Sequence, residues 1–210
     1  MKKNNLKFFA QLLIAILLFT ACSNGDDTPE ENLLLEIGQE YQGGIIFYLD
    51  DSGEHGLIAY QSDLAEAPWG CVSYPDLPST PIAQNNGIGF GEQNTLAIIN
   101  FCDEPNIAAR LAYTLDGNGY ADWYLPSIDE LALIYENRDF IGGFPDLSDP
   151  NNIFIYASSS EGLASEDGNG GFYYLSYFVC DFSDTTVFPN ARKILTSKIN
   201  STRVRPIRSF

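Results

Sequence analysis

The sequence Asp-Trp-Tyr-Leu-Pro-Ser-Ile-Asp-Glu-Leu at residues 122–131 contains the strongest local signal of secondary structure in the chain. Ser127 and Glu130 have the spacing of a capping box, in which the side chain of each residue accepts a hydrogen bond from the backbone N–H of the other. Leu131, Ile134 and Tyr135 then follow at helical spacing. The stretch therefore predicts a short extended segment followed by a helix over residues 128–137.

The segments on either side of this helix predict an α+β domain. Residues 44–49 and 56–60 are apolar and β-prone, and the turn-forming residues between them indicate a β-hairpin. Two short helices are expected next, one after Asn94 and one after Asp103-Glu-Pro. Strands at both ends with helices between them favour antiparallel pairing. The later β-rich segments are residues 153–157, 172–180, 193–196 and 203–208.

The chain is strongly acidic, with 11 basic and 28 acidic residues and a formal net charge of −17. Such a charge repels nucleic acid and anionic polysaccharide beyond contact range, although salt screens it over roughly 8 Å. We therefore expect no nucleic-acid partner.

Residues 1–22 have the composition of an export signal. Lys2, Lys3 and Lys7 precede an apolar run that ends at Ala21-Cys22 and is too short for a stable membrane span. The small residue before the cysteine fits the cleavage site of a bacterial lipoprotein. We therefore predict a signal peptide at residues 1–21 and lipidation of Cys22, with an ordinary secretory signal as the alternative. Removing residues 1–21 would leave eight basic residues against 28 acidic ones, a formal charge of −20.

The polar, acidic segment at residues 22–37 predicts a linker between a lipid anchor and a domain at residues 38–210. Several acyl chains on one cysteine would give stable membrane anchoring. An acidic run behind a lipidated cysteine resembles the surface-export signal of some Gram-negative lipoproteins. This favours the outer face of the outer membrane, and a merely soluble tether is the alternative.

Three further cysteines, Cys71, Cys102 and Cys180, would lie in an oxidising compartment. Their odd number leaves at least one thiol free or paired outside the chain. A Cys71–Cys102 disulfide is the preferred pairing, because it would stabilise an intervening segment rich in Pro, Gly, Ser and Asn. The apolar neighbours of Cys180 predict a buried thiol.

Seven blocks of the sequence carry a resemblance to a known family, and they are residues 41–47, 69–71, 87–95, 108–111, 122–131, 156–161 and 204–210. In their order and spacing they resemble the DUF1566 family, also called the Lcl C-terminal-like domain. The resemblance covers roughly residues 38–210. It implies a single C-type-lectin-like domain of class α+β, with an antiparallel sheet, two or three short helices, long loops and terminal strands that lie together. It also implies a surface or secreted protein, and the one named relative is a collagen-like adhesin whose domain binds sulfated glycosaminoglycans.

Two candidate ligand sites follow from the residue types. In the first, an aromatic face and polar groups on an exposed rim would bind a glycan, and its residues are Tyr156, Ser158, Ser159 and Glu161. The alternative is that Tyr156 is a core residue, at the position where the family usually has Trp. In the second, Arg203 and Arg205 would share one strand face and bind an anion. Pairing of these arginines with nearby carboxylates is the alternative.

The sequence predicts no metal site and no catalytic site. Residues 166–169 and the pair Asp181 and Asp184 offer oxygen ligands for calcium, but they match no EF-hand loop, so solvated acidic turns are the expectation. His55 lies in a predicted turn with no nucleophile near it. Trp69 and Trp123 are predicted to lie in the core.

Taken together, the sequence predicts a lipid-anchored, non-enzymatic module of the cell surface that binds an extracellular glycan or protein in adhesion. Two alternatives stay open. One is a purely structural protein of the surface coat. The other is an enzyme similar to the formylglycine-generating oxidases, which have lectin-like folds. That chemistry needs paired reactive cysteines, and Cys102 and Cys180 lie in unlike contexts.

Overall fold

The computed structural model describes residues 34–71, 80–149, 154–166, 172–183 and 191–210. Within these ranges the chain forms four helices and eleven strands, so the predicted class α+β is confirmed. The helices are α1 (Gly91–Phe101), α2 (Ala108–Tyr113), α3 (Ile128–Glu136) and α4 (Arg138–Ile141). The strands are β1 (Glu40–Tyr41), β2 (Gly44–Leu49), β3 (Gly56–Ala59), β4 (Leu64–Ala67), β5 (Ile155–Glu161), β6 (Ser165–Glu166), β7 (Phe172–Tyr173), β8 (Ser176–Asp181), β9 (Arg192–Ser197), β10 (Thr202–Val204) and β11 (Ile207–Ser209).

The first sheet joins the two ends of the described chain. Its strand order is β1-β2-β3-β11, and β2 and β3 form the predicted antiparallel hairpin. The last strand, β11, pairs antiparallel with β3, with Ile207 opposite Ala59. Tyr124, in the predicted extended segment before α3, forms a further bridge to Ile207. The N-terminal hairpin, the extended segment and the C-terminus therefore meet in one place.

The second sheet has the order β4-β10-β5-β8-β9 and carries the candidate site described below. Three of its four strand pairs are antiparallel, but β5 and β10 are parallel, with Arg203 opposite Tyr156. The expectation of one antiparallel sheet is therefore wrong for this pair. The difference arises because β10 reaches β5 across the whole C-terminal segment rather than through a hairpin.

The helix over residues 128–137 is confirmed within one residue. Both hydrogen bonds of the capping box are present, from Glu130 N–H to the Ser127 hydroxyl and from Ser127 N–H to the Glu130 carboxylate. Helix α1 begins at Gly91, before the expected Asn94, and α2 begins at Ala108, later than the Asp103-Glu-Pro sequence indicated. The short α4, which directly follows α3, was not expected.

Two clusters of buried side chains form the core. The first lies around α3 and contains Phe47, Tyr135, Tyr156 and Phe182, and the Phe182 ring packs against the rings of Tyr135 and Tyr156. The second lies around α1 and α2 and contains Trp69, Leu125, Tyr177 and Val179. Trp69 and Trp123 are both buried, so the prediction that they belong to the interior is confirmed.

The cysteine pattern is also confirmed. Cys71 and Cys102 form a disulfide, and Cys180 is a free, buried thiol. Burial raises the pKa of Cys180 to about 12. The predicted signal peptide, Cys22 and most of the linker lie outside the described residues, as do the calcium-ligand candidates 167–169 and Asp184. Among the helices of the described ranges, none is long and apolar enough to cross a membrane.

Candidate ligand-binding cleft

A polar cleft on the second sheet is lined by residues of β4, β5, β9 and β10 and of the turn between β9 and β10. Its volume is about 370 Å³. The turn between β9 and β10 supplies one wall, and β4 and β10 supply the other. The lining residues carry hydroxyl, amide, carboxylate and guanidinium groups on a small apolar base, and they are Glu66, Ile155, Thr196, Asn200, Ser201, Thr202 and Arg203.

Arg203 is the positively charged group of the cleft, and its guanidinium donates no hydrogen bond to any residue of the described ranges. Its side chain is 29% exposed. Nη1 lies 3.6 Å from Asp63 Oδ2, and Nη2 lies 3.8 Å from Glu66 Oε1. Both distances exceed the length of a hydrogen bond. The Nε atom is buried and has no partner within the described part of the chain. The charge of Arg203 is therefore offset by its neighbours, while its Nη1 and Nη2 atoms keep donors that these long ion pairs do not use.

Internal hydrogen bonds shape the wall formed by the β9–β10 turn. The Asn200 amide donates to the Thr196 hydroxyl over 2.9 Å, and the Asn200 backbone N–H donates to the Ser197 carbonyl over 3.0 Å. Thr202 is buried on its other side, where its hydroxyl lies 2.7 Å from the Tyr177 hydroxyl. The polar groups of this wall consequently have defined positions before any ligand binds.

A buried ion pair lies beneath the same turn. Lys198 Nζ contacts Glu161 Oε1, and both side chains are fully buried. Lys198 also lies over the Trp69 ring, with Nζ 4.0 Å from the ring centroid. Burial lowers the pKa of Lys198, and the contact with Glu161 opposes this shift. Because the backbone of Lys198 also bonds to Trp69 and Leu175, the pair attaches the turn to the interior.

Arg205 does not accompany Arg203 in the cleft, so the prediction that the two arginines form one surface patch is wrong. Strand β10 ends at Val204, and the Arg205 side chain is fully buried. It donates four hydrogen bonds, to Asp63 and to the carbonyl oxygens of Tyr60, Gly142 and Gly143. The alternative, pairing with neighbouring carboxylates, describes Arg205, and its role is structural.

The exposed rim predicted on β5 is wrong. Tyr156, Ser158, Ser159 and Glu161 are all buried, because α1 and α3 pack against this central strand. Their polar atoms are used internally. The Tyr156 hydroxyl donates to Asp63 Oδ2 over 2.8 Å, and the Ser158 hydroxyl donates to the Phe178 carbonyl. Ser159 Oγ accepts from the Asn94 amide.

Glu161 is also committed to the interior. Besides its contact with Lys198, its carboxylate accepts a hydrogen bond from the backbone N–H of Ile82 over 2.6 Å. The alternative, that Tyr156 is a core residue, is confirmed by its complete burial.

The other charged candidates do not form a second site. His55 is exposed in the β2–β3 turn, with Nδ1 3.5 Å from Asp50. Asp181 pairs with Arg192. In the ranges that the structure describes, no group of three or more His, Cys, Asp or Glu side chains is arranged to bind a metal ion.

Arg203 was predicted from the sequence as a ligand-binding residue, but the other residues that line the cleft were not. Glu66, Thr196, Asn200 and Thr202 carried no motif, because they converge from three strands and one turn only in the folded chain. Exposed and buried residues do not alternate along β4, so no period-two pattern marks this strand in the sequence.

The fold and the cleft define a small α+β domain with a polar candidate site on its mixed sheet. The chain matches no protein-family model and no curated protein.

Proposed function

We propose that this protein is a lipid-anchored, non-enzymatic module of the cell surface, which binds an extracellular glycan in the Arg203 cleft and serves in adhesion. The anchor is Cys22, and the location is the outer face of the outer membrane. The domain is a member of the DUF1566 family with a C-type-lectin-like fold. The pairing of β11 with β3 supports this last point, because the family resemblance implies terminal strands that lie together.

The observation that carries the proposal is the difference between Arg203 and the two arginines next to it in sequence. Arg205 and Arg208 each donate four hydrogen bonds to protein groups. Arg203, in contrast, makes two ion pairs longer than hydrogen bonds and lies over the Phe154 ring, 5.4 Å from its centroid, while it lines a cleft. A guanidinium whose fork of donors is unused is suited to binding an oxygen-rich ligand.

The remaining groups of the cleft fit the hydroxyls of a sugar. Thr196, Asn200 and Ser201 offer both donors and acceptors at its surface. Asp63 and Glu66 offset the charge of Arg203, and the chain as a whole is strongly acidic. These charges favour a ligand of low charge density over a sulfated polymer.

The cysteines support the non-enzymatic part of the proposal. A formylglycine-generating type of oxidase needs a pair of reactive thiols, whereas here Cys71 and Cys102 are bonded to each other and Cys180 is buried with a raised pKa. A protein ligand and a purely structural role in the surface coat are the competing functions.

A glycan array tests the proposal. The full-length chain in detergent would be compared with the variant Arg203→Gln and with the control Lys193→Gln, which removes a positive charge from β9 outside the cleft. Wild type and control should bind the same glycans, and Arg203→Gln should lose at least most of that binding. Binding should persist in a chelator, since the proposal requires no metal. Equal binding by all three proteins, or no binding by wild type, would contradict it.

A further inference from the structure

We infer that the Arg203 cleft recognises a carboxylate group of its ligand, and that in the free protein the carboxylate of Glu66 occupies the place of that group. The inference rests on the proposed function, because it concerns the same cleft and names the chemical class of the ligand. It makes Glu66 a residue that competes with the ligand and so determines specificity.

Asp63 is too fully engaged to serve as the hydrogen-bond partner of Arg203. Its Oδ1 accepts from Arg205 Nε over 2.7 Å, and Arg205 Nη2 lies 2.6 Å from the same oxygen. Its Oδ2 accepts from the Tyr156 hydroxyl over 2.8 Å and lies 3.6 Å from Arg203. The charge of Asp63 is thus largely matched by Arg205, which leaves Arg203 with a positive charge that needs a second partner.

Glu66 is that second partner, but its contact is weak. Its side chain is 56% exposed, and Oε1 lies 3.8 Å from Arg203 Nη2. In the described part of the chain it makes no other ion pair. An exposed ion pair at this distance changes a binding constant by less than about tenfold. Glu66 can therefore be displaced at little cost.

A ligand carboxylate would make better contacts than Glu66 makes. The Nη1 and Nη2 atoms of a guanidinium can donate two parallel hydrogen bonds to one carboxylate, at about 2.7–2.9 Å. Thr196, Asn200 and Ser201 line the same cleft and can bind hydroxyls next to that carboxylate. The ligand should carry one carboxylate, because Arg203 is the one guanidinium among the residues that line the cleft. The negative net charge of the protein disfavours a polyanion.

The test uses a pair of probes that differ only in charge, namely methyl glucuronoside and its methyl ester. Each would be titrated into the full-length chain in detergent, and binding would be followed by saturation-transfer NMR. The wild type should prefer the acid over the ester. Glu66→Gln should raise the affinity for the acid by about two- to fivefold, as expected from the loss of one exposed ion pair, and should leave the ester unchanged.

Two further variants separate the cleft from the general charge of the protein. Glu54→Gln removes one negative charge from the exposed β2–β3 turn and should change neither affinity. Arg203→Gln should abolish the preference for the acid, and Arg203→Lys, which keeps the charge but not the fork, should retain only part of it.

Equal binding of acid and ester by wild type and by Glu66→Gln would overturn the inference while leaving a glycan site in place. Failure of the acid to bind either protein would also overturn it, and the glycan array would then decide the proposed function independently. A gain of affinity in Glu54→Gln as large as in Glu66→Gln would overturn it as well, because the effect would then come from net charge.

Discussion

Arg205 and Asp63 form a buried ion pair in which two nitrogens of the guanidinium, Nε and Nη2, lie 2.7 and 2.6 Å from the same carboxylate oxygen. The pair connects the end of β10 to the segment just before β4. The guanidinium also bonds the carbonyl oxygens of Gly142 and Gly143 and lies over the Phe144 ring, 4.0 Å from its centroid. One side chain thus joins three distant segments beside the candidate cleft.

Arg205→Met should therefore destabilise the protein severely, by about 3–5 kcal/mol, because it leaves the buried Asp63 carboxylate without its partner. Arg203→Gln, which breaks only two long ion pairs near the surface, should cost less than about 1 kcal/mol. Urea denaturation at neutral pH measures both values. Similar losses for the two variants would contradict the division into a structural arginine and a ligand-binding one.

Glu130 should make stability depend on pH. Burial raises the pKa of this carboxyl group, although hydrogen bonds from the N–H groups of Ser127, Gly89 and Gly91 oppose the shift. With a raised pKa, the folded chain keeps the Glu130 proton at pH values where the unfolded chain has lost it. The free energy of unfolding should then fall as the pH rises above the ordinary glutamate value of about 4.3.

Glu130→Gln removes this titration. The difference in the free energy of unfolding between wild type and the variant should therefore shift in favour of the variant from pH 4 to pH 7, whatever its starting value. Chemical denaturation across this range measures the difference. A shift in the opposite direction would mean that the three N–H groups outweigh burial and that the pKa is lowered.

The Cys71–Cys102 disulfide should contribute substantially to stability. It closes a loop with a sequence separation of 31 residues. In the chain-entropy model such a cross-link stabilises the folded state by about 3–4 kcal/mol. The double variant Cys71→Ser/Cys102→Ser should lose about this amount in urea denaturation. The control Cys180→Ala, which removes a buried thiol outside the bridge, should lose less. A larger loss for the control would contradict this order.

The comparison of sequence and structure shows which features were predictable. The Ser127–Glu130 capping box was predictable, because both of its hydrogen bonds join residues within one segment of four residues. The second role of Glu130 was not, because its carboxylate accepts from Gly89, 41 residues away. Only the folded chain explains the glycine at position 91, where a Cβ atom would lie 2.3 Å from Glu130 Oε2. The glycine permits a close approach that no local pattern reveals.

The errors at the candidate site have a similar origin. The aromatic and polar residues of β5 predicted an exposed rim, yet the strand is central and covered by α1 and α3. Its serines therefore bond to groups of β8, α1 and a loop instead of water. Arg203 and Arg205 have the spacing of one strand face, but β10 ends between them and the next strand, β11, belongs to the first sheet. Alternation predicts a shared face only where both residues belong to the same strand.

The buried pair of Lys198 and Glu161 offers the sharpest test of how the cleft is supported. Both side chains are fully buried, and Glu161 also accepts from the Ile82 N–H, so the pair connects two loops. Lys198→Met should cost about 3–5 kcal/mol, because it leaves the carboxylate uncompensated in the interior. The double variant Lys198→Met/Glu161→Gln should be more stable than Lys198→Met alone, since Gln keeps an oxygen acceptor for Ile82 without a buried charge. Urea denaturation of the two single variants and the double variant gives the coupling energy. Additive losses would show that the two charges do not stabilise each other, and the β9–β10 turn of the cleft would then depend on its backbone hydrogen bonds alone.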